Sequence, residues 1–396
     1  MRRKLGKFWR LVSGRERCCE RTEGRLTIGF VPWWPSTFYQ AQLVRDLAAL
    51  GVDARAQVLS AKTLICLVLG RDCLDVVHVH WPHGAYLHNP WRAFFVVFHL
   101  WMYRWLRDNV VWTVHELEFY ETRHPRLDRW VVRSLLRLSR ALIAHSEHSV
   151  EVLRSRYCYR RDIRLLRHPS YVGCYPNEVD KETARAALGI PSDAAVYLFL
   201  GYIKPYKGVE ELIEAFGGIE DPNSRLIIAG MPMDDAVGRR IAALAREDAR
   251  IMAHTDFLPD ERLQYFLNAA DVLAFPFRKM HTSGSVLLGL SYGRPVIVPR
   301  LAALPEEVDD SCGILFDPKD PGALRNALLA ARNEDLALMG IRARERLRGR
   351  TWSEFAANHV RLYHALRSRA ADELSSADGS FLSGQDVKLG YHRSRR

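Results

Sequence analysis

The stretch PFRKMHTSGSVLLGLSYGRPVIVP, residues 276–299, carries small polar residues where a helical pattern begins. Thr282, Ser283, Gly284 and Ser285 stand between an apolar strand-like run (271–275) and an apolar helical one. Small residues ahead of a helix leave its first N–H groups uncovered, and those groups carry roughly half a positive charge. They suit an anion, most often a phosphate. A plain serine N-cap uses the same residues. A second stretch, GYIKPYKG at 201–208, tips the reading towards phosphate. Gly201, Lys204, Lys207 and Gly208 also follow a strand-like run and open a helical pattern, so the lysines can meet a diphosphate with point charges beside backbone dipoles. Arg278 and Lys279 add positive charge just ahead of the serine cluster. The second half of the chain reads as a nucleotide-diphosphate domain.

The first half supplies acids, bases and rings. WTVHELEFYETRH places His115, Glu116, Glu118 and Glu121 after a strand-like run, where a carboxylate can take a proton from a hydroxyl. Three glutamates compete for that role. DVVHVHWPHG contributes His78, His80, Trp81 and His83. His78 and His80 share one strand face, as zinc ligands or two packed core histidines would. We expect no metal site. Trp33, Trp34 and Trp81 suit either sugar stacking or core packing. The chain has no G-x-x-x-x-G-K-[ST] loop, no G-x-G-x-x-G and no D-x-D pair, which argues against a P-loop ATPase, a simple dinucleotide dehydrogenase and a divalent cation on the diphosphate.

Positioning these residues needs alternating strands and helices. Strand-like runs at 26–31, 75–80, 110–115 and 141–145, then at 195–200, 225–229, 271–275 and 295–298, are separated by helical patterns. That rhythm argues for parallel sheets with helices on both faces, which bind ligands at the carboxyl ends of their strands. The fold class expected is α/β: two doubly wound, Rossmann-like domains facing each other across a cleft. We place a basic leader over 1–25, an acceptor domain over 26–180, a nucleotide-sugar domain over 181–350, a crossover helix over 351–369 and a flexible tail over 370–396. A chain of 396 residues is long enough for two cores.

The net charge of +11 draws something anionic, but the chain has no recognition-helix, zinc-finger or RNA motif, and nucleic acid is not expected. Seven cysteines without a C-x-x-C pair point to reduced thiols and a cytoplasmic setting. The leader has nine Lys/Arg, three Glu and no apolar run of signal-peptide length. With Phe8, Trp9, Leu11 and Val12 it suits either an anionic membrane surface or a disordered segment. PWRAFFVVFHLWMYRWLRD at 90–108 is too short to span a bilayer, and reads as a core helix or a surface-lying one.

Over roughly 26–365 these motifs resemble the GT-B glycosyltransferase superfamily and, within it, the xanthan-pathway GDP-mannose:glycolipid β-1,4-mannosyltransferase branch. DVVHVHWP, TVHELEFYE, GYIKPYKGVE and PFRKMHTSGSVLLGLSYGRPVIVP occur there in the same order. The resemblance implies a nucleotide-sugar donor whose diphosphate is held by Gly201, Lys204, Lys207, Arg278, Ser283, Gly284 and Ser285. Tyr202 stands where the superfamily has an arginine, and Lys204 can supply the missing charge. Retaining members carry Glu-x7-Glu where this chain has Met280 and Leu288, which neither ionise nor accept a ribose hydrogen bond. The mannosyltransferase resemblance therefore implies inversion, with Glu121 as base, His115 positioning the sugar or acceptor, and His80, Trp81 and Trp33 on the acceptor side. It implies metal-independent transfer with no cofactor beyond the nucleotide sugar. The acceptor expected is a lipid-linked glycan, reached from the cytoplasmic side by peripheral contact with the inner face of the plasma membrane. Rival expectations are a retaining enzyme using a UDP-sugar and a non-catalytic sugar-nucleotide-binding protein.

Overall fold

The computed structural model describes residues 24–381 except 35–36, 88, 119 and 121–123, with side chains described as far as 368. The strands of the first half are β1 (Thr27–Val31), β2 (Asp53–Ala56), β3 (Val76–Val79), β4 (Val110–Val114), β5 (Ala141–Ala144) and β6 (Asp162–Leu165). Those of the second are β7 (Ala195–Leu200), β8 (Ser224–Ala229), β9 (Ile251–His254), β10 (Val272–Ala274), β11 (Val296–Pro299) and β12 (Gly313–Phe316). Each set forms one six-stranded sheet, ordered β2-β1-β3-β4-β5-β6 and β12-β11-β10-β7-β8-β9. Every pair in the second sheet is parallel. So are β1–β2, β1–β3 and β3–β4.

Burial on both faces explains the composition of the inner strands. β1, β3, β4 and β5 are buried at every position, so they read as unbroken apolar runs. The eight runs legible in the sequence are β1, β3, β4, β5, β7, β8, β10 and β11. The four left unread, β2, β6, β9 and β12, are the two edges of each sheet.

The chain packs as two compact units. One holds residues up to 113, 124–143 and from 356 onward; the other holds 114–123 and 144–355. The second unit's core gathers Tyr197, Phe199, Phe216, Phe266 and Phe275 around β7 and β10. In the first unit, His78 bonds through Nδ1 to Tyr363 Oη and through Nε2 to Thr113 Oγ1, both at 2.7 Å, and is fully buried. It is a core histidine with both ring nitrogens engaged, which excludes it as a zinc ligand. Tyr363 belongs to the last helix, expected over 351–369 and continuous here from Trp352 to Phe381. Reduced thiols hold for Cys158, Cys174 and Cys312 but not for Cys66 and Cys73, which are disulfide-bonded. No helix among the described residues is long and apolar enough to cross a membrane.

Candidate active site

Relabelled from its own first strand, the second sheet has the order 3-2-1-4-5-6, and its direction of winding reverses between β7 and β10. Ligands of doubly wound sheets bind outside the strand ends at that reversal. Gly201 follows β7, and the Ser283–Ser285 cluster follows β10 across a short loop. The two segments touch. A methyl group on Gly201 would lie 2.8 Å from Ser285 Oγ and 3.3 Å from Lys207 Nζ. Gly201 also has φ +129°, a backbone conformation that side-chain-bearing residues rarely adopt. Three of the residues expected on the diphosphate therefore converge on one spot.

The backbone holds them there. Gly201 N–H donates to Ala229 O at 3.0 Å, Ile203 N–H to Met231 O at 2.9 Å, and Arg278 N–H to Tyr206 O at 2.9 Å. A methyl on Gly208 would sit 2.1 Å from Pro276 O, so only glycine lets the β7 loop lie on the β10 loop. Ser283 caps the helix Gly284–Ser291, its hydroxyl accepting from Val286 N–H at 3.4 Å. That bond uses one N–H of the first turn and leaves the N–H groups of Gly284 and Ser285 at the helix opening. Both meanings of the serine cluster, N-cap and phosphate seat, are thus compatible in one geometry. Lys204 Nζ stands 5.8 Å over the Tyr206 ring. Arg278 forms an ion pair with Glu211 on the helix Val209–Gly217 and is more than half exposed, so its guanidinium is already engaged by a carboxylate.

The acidic loop lies in the same unit. Tyr120 packs on Tyr206 with ring centroids 5.0 Å apart, which brings the segment after β4 alongside the lysine loop. His115 is half-buried with its ring 5.3 Å from that of His145, and His145 Nδ1 bonds Leu166 O at 2.7 Å. Of the competing glutamates, Glu118 is exposed and paired with Arg156 at 2.7 Å, while Glu116 is half-buried beside Tyr120. Glu121 lies outside the described residues.

Sequence reasoning missed a neighbour of this site. His281, just ahead of the serine cluster, is buried and its Nε2 is 2.7 Å from Ser149 Oγ. Burial, helped by nearby His148, holds its imidazole down at about 4, so it is neutral at ordinary pH. Glu306 accepts from Glu147 N–H at 2.8 Å and His148 N–H at 2.6 Å, so a carboxylate already occupies the N-terminus of the helix Glu147–Ser155. Only the position of His281 next to the anion-suited cluster signalled its presence. Glu306 is 159 residues from Glu147, and no local pattern announces that contact.

In the first unit, the reversal of the sheet falls between β1 and β3. Trp33 and Trp34 follow β1, and Trp81 follows β3. Trp34 stacks on Trp81 at 5.7 Å and 23°. Gly84 lies against the Trp34 indole, where a methyl would be 2.0 Å from Cζ2. Trp33 and Trp81 remain partly exposed. His80 does not join them at the surface. It is fully buried, its ring packed against His78 at 4.2 Å and Phe30 at 4.9 Å. The expectation that its side chain touches an acceptor is corrected to a packing role beneath Trp81, 5.7 Å away. Among the described residues, no group of three or more His, Cys, Asp or Glu is arranged to hold a metal ion.

Sheet orders, strand-end loops and the phosphate-suited convergence define a class, and the likeness to known proteins agrees with it. Residues 194–334 match the family model for glycosyl transferases group 1, and the two parallel six-stranded sheets with their flanking helices have the fold of GT-B glycosyltransferase structures. The fold resembles that of sucrose-phosphate synthase from Thermosynechococcus elongatus, with a TM-score of 0.69 and 19% identity over 87% of this chain and all of that one. In sequence it is similar to the GDP-mannose:glycolipid 4-beta-D-mannosyltransferase of Xanthomonas campestris pv. campestris, 26% identical over 73% of this chain and 79% of that one. A D-inositol 3-phosphate glycosyltransferase of Corynebacterium efficiens is 30% identical over 50% of this chain and 49% of its own length.

Proposed function

We propose that the enzyme transfers mannose from GDP-mannose, with inversion, to a lipid-linked oligosaccharide in exopolysaccharide or cell-surface glycan synthesis. The observation that carries this reading is the meeting of Gly201, Lys207 and Ser285 at the winding reversal, with Tyr120 drawing the acidic loop beside it. The acceptor oxygen forms a bond to the anomeric carbon while the carbon–oxygen bond to the diphosphate breaks and its electron pair leaves on the phosphate. Glu121 takes the acceptor proton. Lys204, Lys207 and the N–H groups of Gly284 and Ser285 stabilise the charge that grows on the leaving oxygen. These fixed charges stand in for a divalent cation, so transfer is metal-independent. His115 orients the sugar, and Trp33 and Trp81 offer partly exposed rings to the acceptor glycan.

Donor and acceptor follow from the likeness to the Xanthomonas protein, whose name specifies both GDP-mannose and a glycolipid. Inversion is supported by buried Met280 and half-buried Leu288 at the places where retaining relatives carry glutamate. The test is thermal stabilisation by GDP, UDP, ADP and their sugars, with and without EDTA, followed by product anomer analysis. A ligand of the folded state raises stability with the logarithm of its concentration over its dissociation constant. We expect selective stabilisation by GDP and GDP-mannose, unchanged by EDTA, and a β-linked product. A preference for UDP with an α-linked product would install the second reading, a retaining enzyme using a UDP-sugar.

A further inference from the structure

The helix Arg92–Arg107 is apolar on two faces. Ala93, Val96, Leu100 and Tyr103 are buried, and His99 ties the helix down through Phe95 O and Ser60 O, each at 2.9 Å. Trp91, Phe94, Phe98, Trp101 and Trp105 recur at steps of three and four residues and are all exposed, Trp91 at 77% and Trp105 at 69%. That spacing draws one stripe along a helix about 24 Å long. The rings lean on one another: Phe98 and Trp101 are 5.9 Å apart, and Trp101 and Trp105 stack at 6.0 Å and 7°. Phe94 meets Trp130 at 4.9 Å, which carries the stripe onto the helix Pro125–Leu138. A contiguous aromatic surface of this extent is rare on a soluble face and marks an interaction site.

Charge identifies the partner. Beside Trp130, Arg126, Arg129, Arg133 and Arg137 are exposed at steps of three and four along the second helix. The first helix contains no acidic residue, and the one in the second, Asp128, is buried on the Tyr86 hydroxyl at 2.7 Å. Asp108, just past the first helix, is ion-paired with Arg104 and Arg140. Aromatic rings flanked by arginines and no exposed acid match a bilayer interface with anionic headgroups, where indoles settle at headgroup depth and guanidinium groups reach phosphate. A second copy of the same face would set arginine rows against each other. The basic first 25 residues, with nine Lys/Arg against three Glu, are repelled likewise.

We propose that this surface docks the enzyme on an anionic bilayer, with the helix Arg92–Arg107 lying in the membrane plane. The docking rests on the two helices; only its purpose, access to a lipid-linked acceptor, rests on the function proposed above. The test is flotation of the full chain with vesicles of phosphatidylcholine alone and with about 30% phosphatidylglycerol. We expect binding to the anionic vesicles only, weakened by salt. Trp91→Ala with Trp101→Ala and Trp105→Ala should weaken it about tenfold or more. Arg129→Glu with Arg133→Glu should cost on the order of tenfold and remove most of the salt dependence. All five side chains are exposed or edge-lying, and an unchanged thermal transition with unchanged stabilisation by GDP would show each variant folded and its donor site intact. No vesicle binding, or equal binding by the tryptophan variant, overturns the proposal. So does self-association abolished by that variant, or displacement of bound vesicles by single-stranded oligonucleotide. Loss of GDP stabilisation in the wild type would sink the donor reading and leave the docking result standing.

Discussion

The two halves of the proposed active centre, both in the second compact unit, are built by different means. The diphosphate side is held by backbone: Gly201 and Gly208 in left-handed conformations, N–H bonds to Ala229, Met231 and Tyr206, and a capped helix. The acidic side depends on side chains: ring contacts of Tyr120 with Tyr206 and of His115 with His145, and Glu118 turned out to Arg156. Charge stabilisation gains most from groups that need not reorganise during reaction, which the backbone provides. Proton removal needs a carboxylate that meets the acceptor only once it is bound, which a loop can deliver. The difference predicts that binding and turnover can be separated by mutation.

The largest separation should come from Glu121→Gln. If this residue is the base, turnover falls by about 10²–10⁴-fold while GDP affinity changes little. Transfer assays beside a GDP titration decide it; wild-type turnover in the variant would move the role to Glu116 or His115. Lys207→Ala should do the reverse. Removing one charged donor from the leaving group costs about 1.5–3 kcal/mol, on the order of 10–100-fold in GDP affinity, with guanosine binding nearly unchanged. Equal losses for nucleoside and nucleotide would take Lys207 off the phosphates and collapse the distinction between the two halves.

The same division sets what the sequence revealed. Gly201, Lys207 and Ser285 were legible because strand ends, glycines and a helix start are local patterns, and sheet order then placed them together. The inner strands were legible because burial on both faces makes them continuously apolar. β2, β6, β9 and β12 were not, since edge strands are only partly buried and need no continuous apolar run: DARA and DIRL mix charged residues with apolar ones, and IMAH and GILF are each buried at only part of their length. His80 misled for a related reason. Its place after a strand suggested a site, whereas β3 carries it into an aromatic core. The Ser149–His281 bond spans 132 residues and has no sequence signature.

That bond provides a third, smaller test. His281 and His168 are both held down at about 4, chiefly by burial, against an ordinary 6.5. The unfolded chain therefore takes up these protons first as pH drops. Their stabilising contribution is complete above about 6.5 and is lost as pH falls towards about 4. Between neutrality and about pH 5.5 each histidine should cost about 1 kcal/mol. Thermal melts across that range should show a falling midpoint, and His281→Gln, which keeps a hydrogen-bonding group for Ser149, should remove about half of the slope. An undiminished slope would place the titration elsewhere.

The smallest effect is expected at Arg278, and it sharpens the contrast most. Its charge lies next in sequence to the serine cluster, which is why it reads as a phosphate ligand. The structure instead commits its guanidinium to Glu211, while its backbone N–H holds Tyr206. Replacing the side chain leaves the N–H in place, so the β7 and β10 loops stay joined. An exposed ion pair is worth about 0–1 kcal/mol. Arg278→Ala should therefore change GDP affinity by less than about threefold, against the 10–100-fold expected at Lys207. A tenfold loss would mean that the guanidinium leaves Glu211 for the diphosphate when donor binds, making this side of the centre as dependent on side-chain movement as the acidic loop.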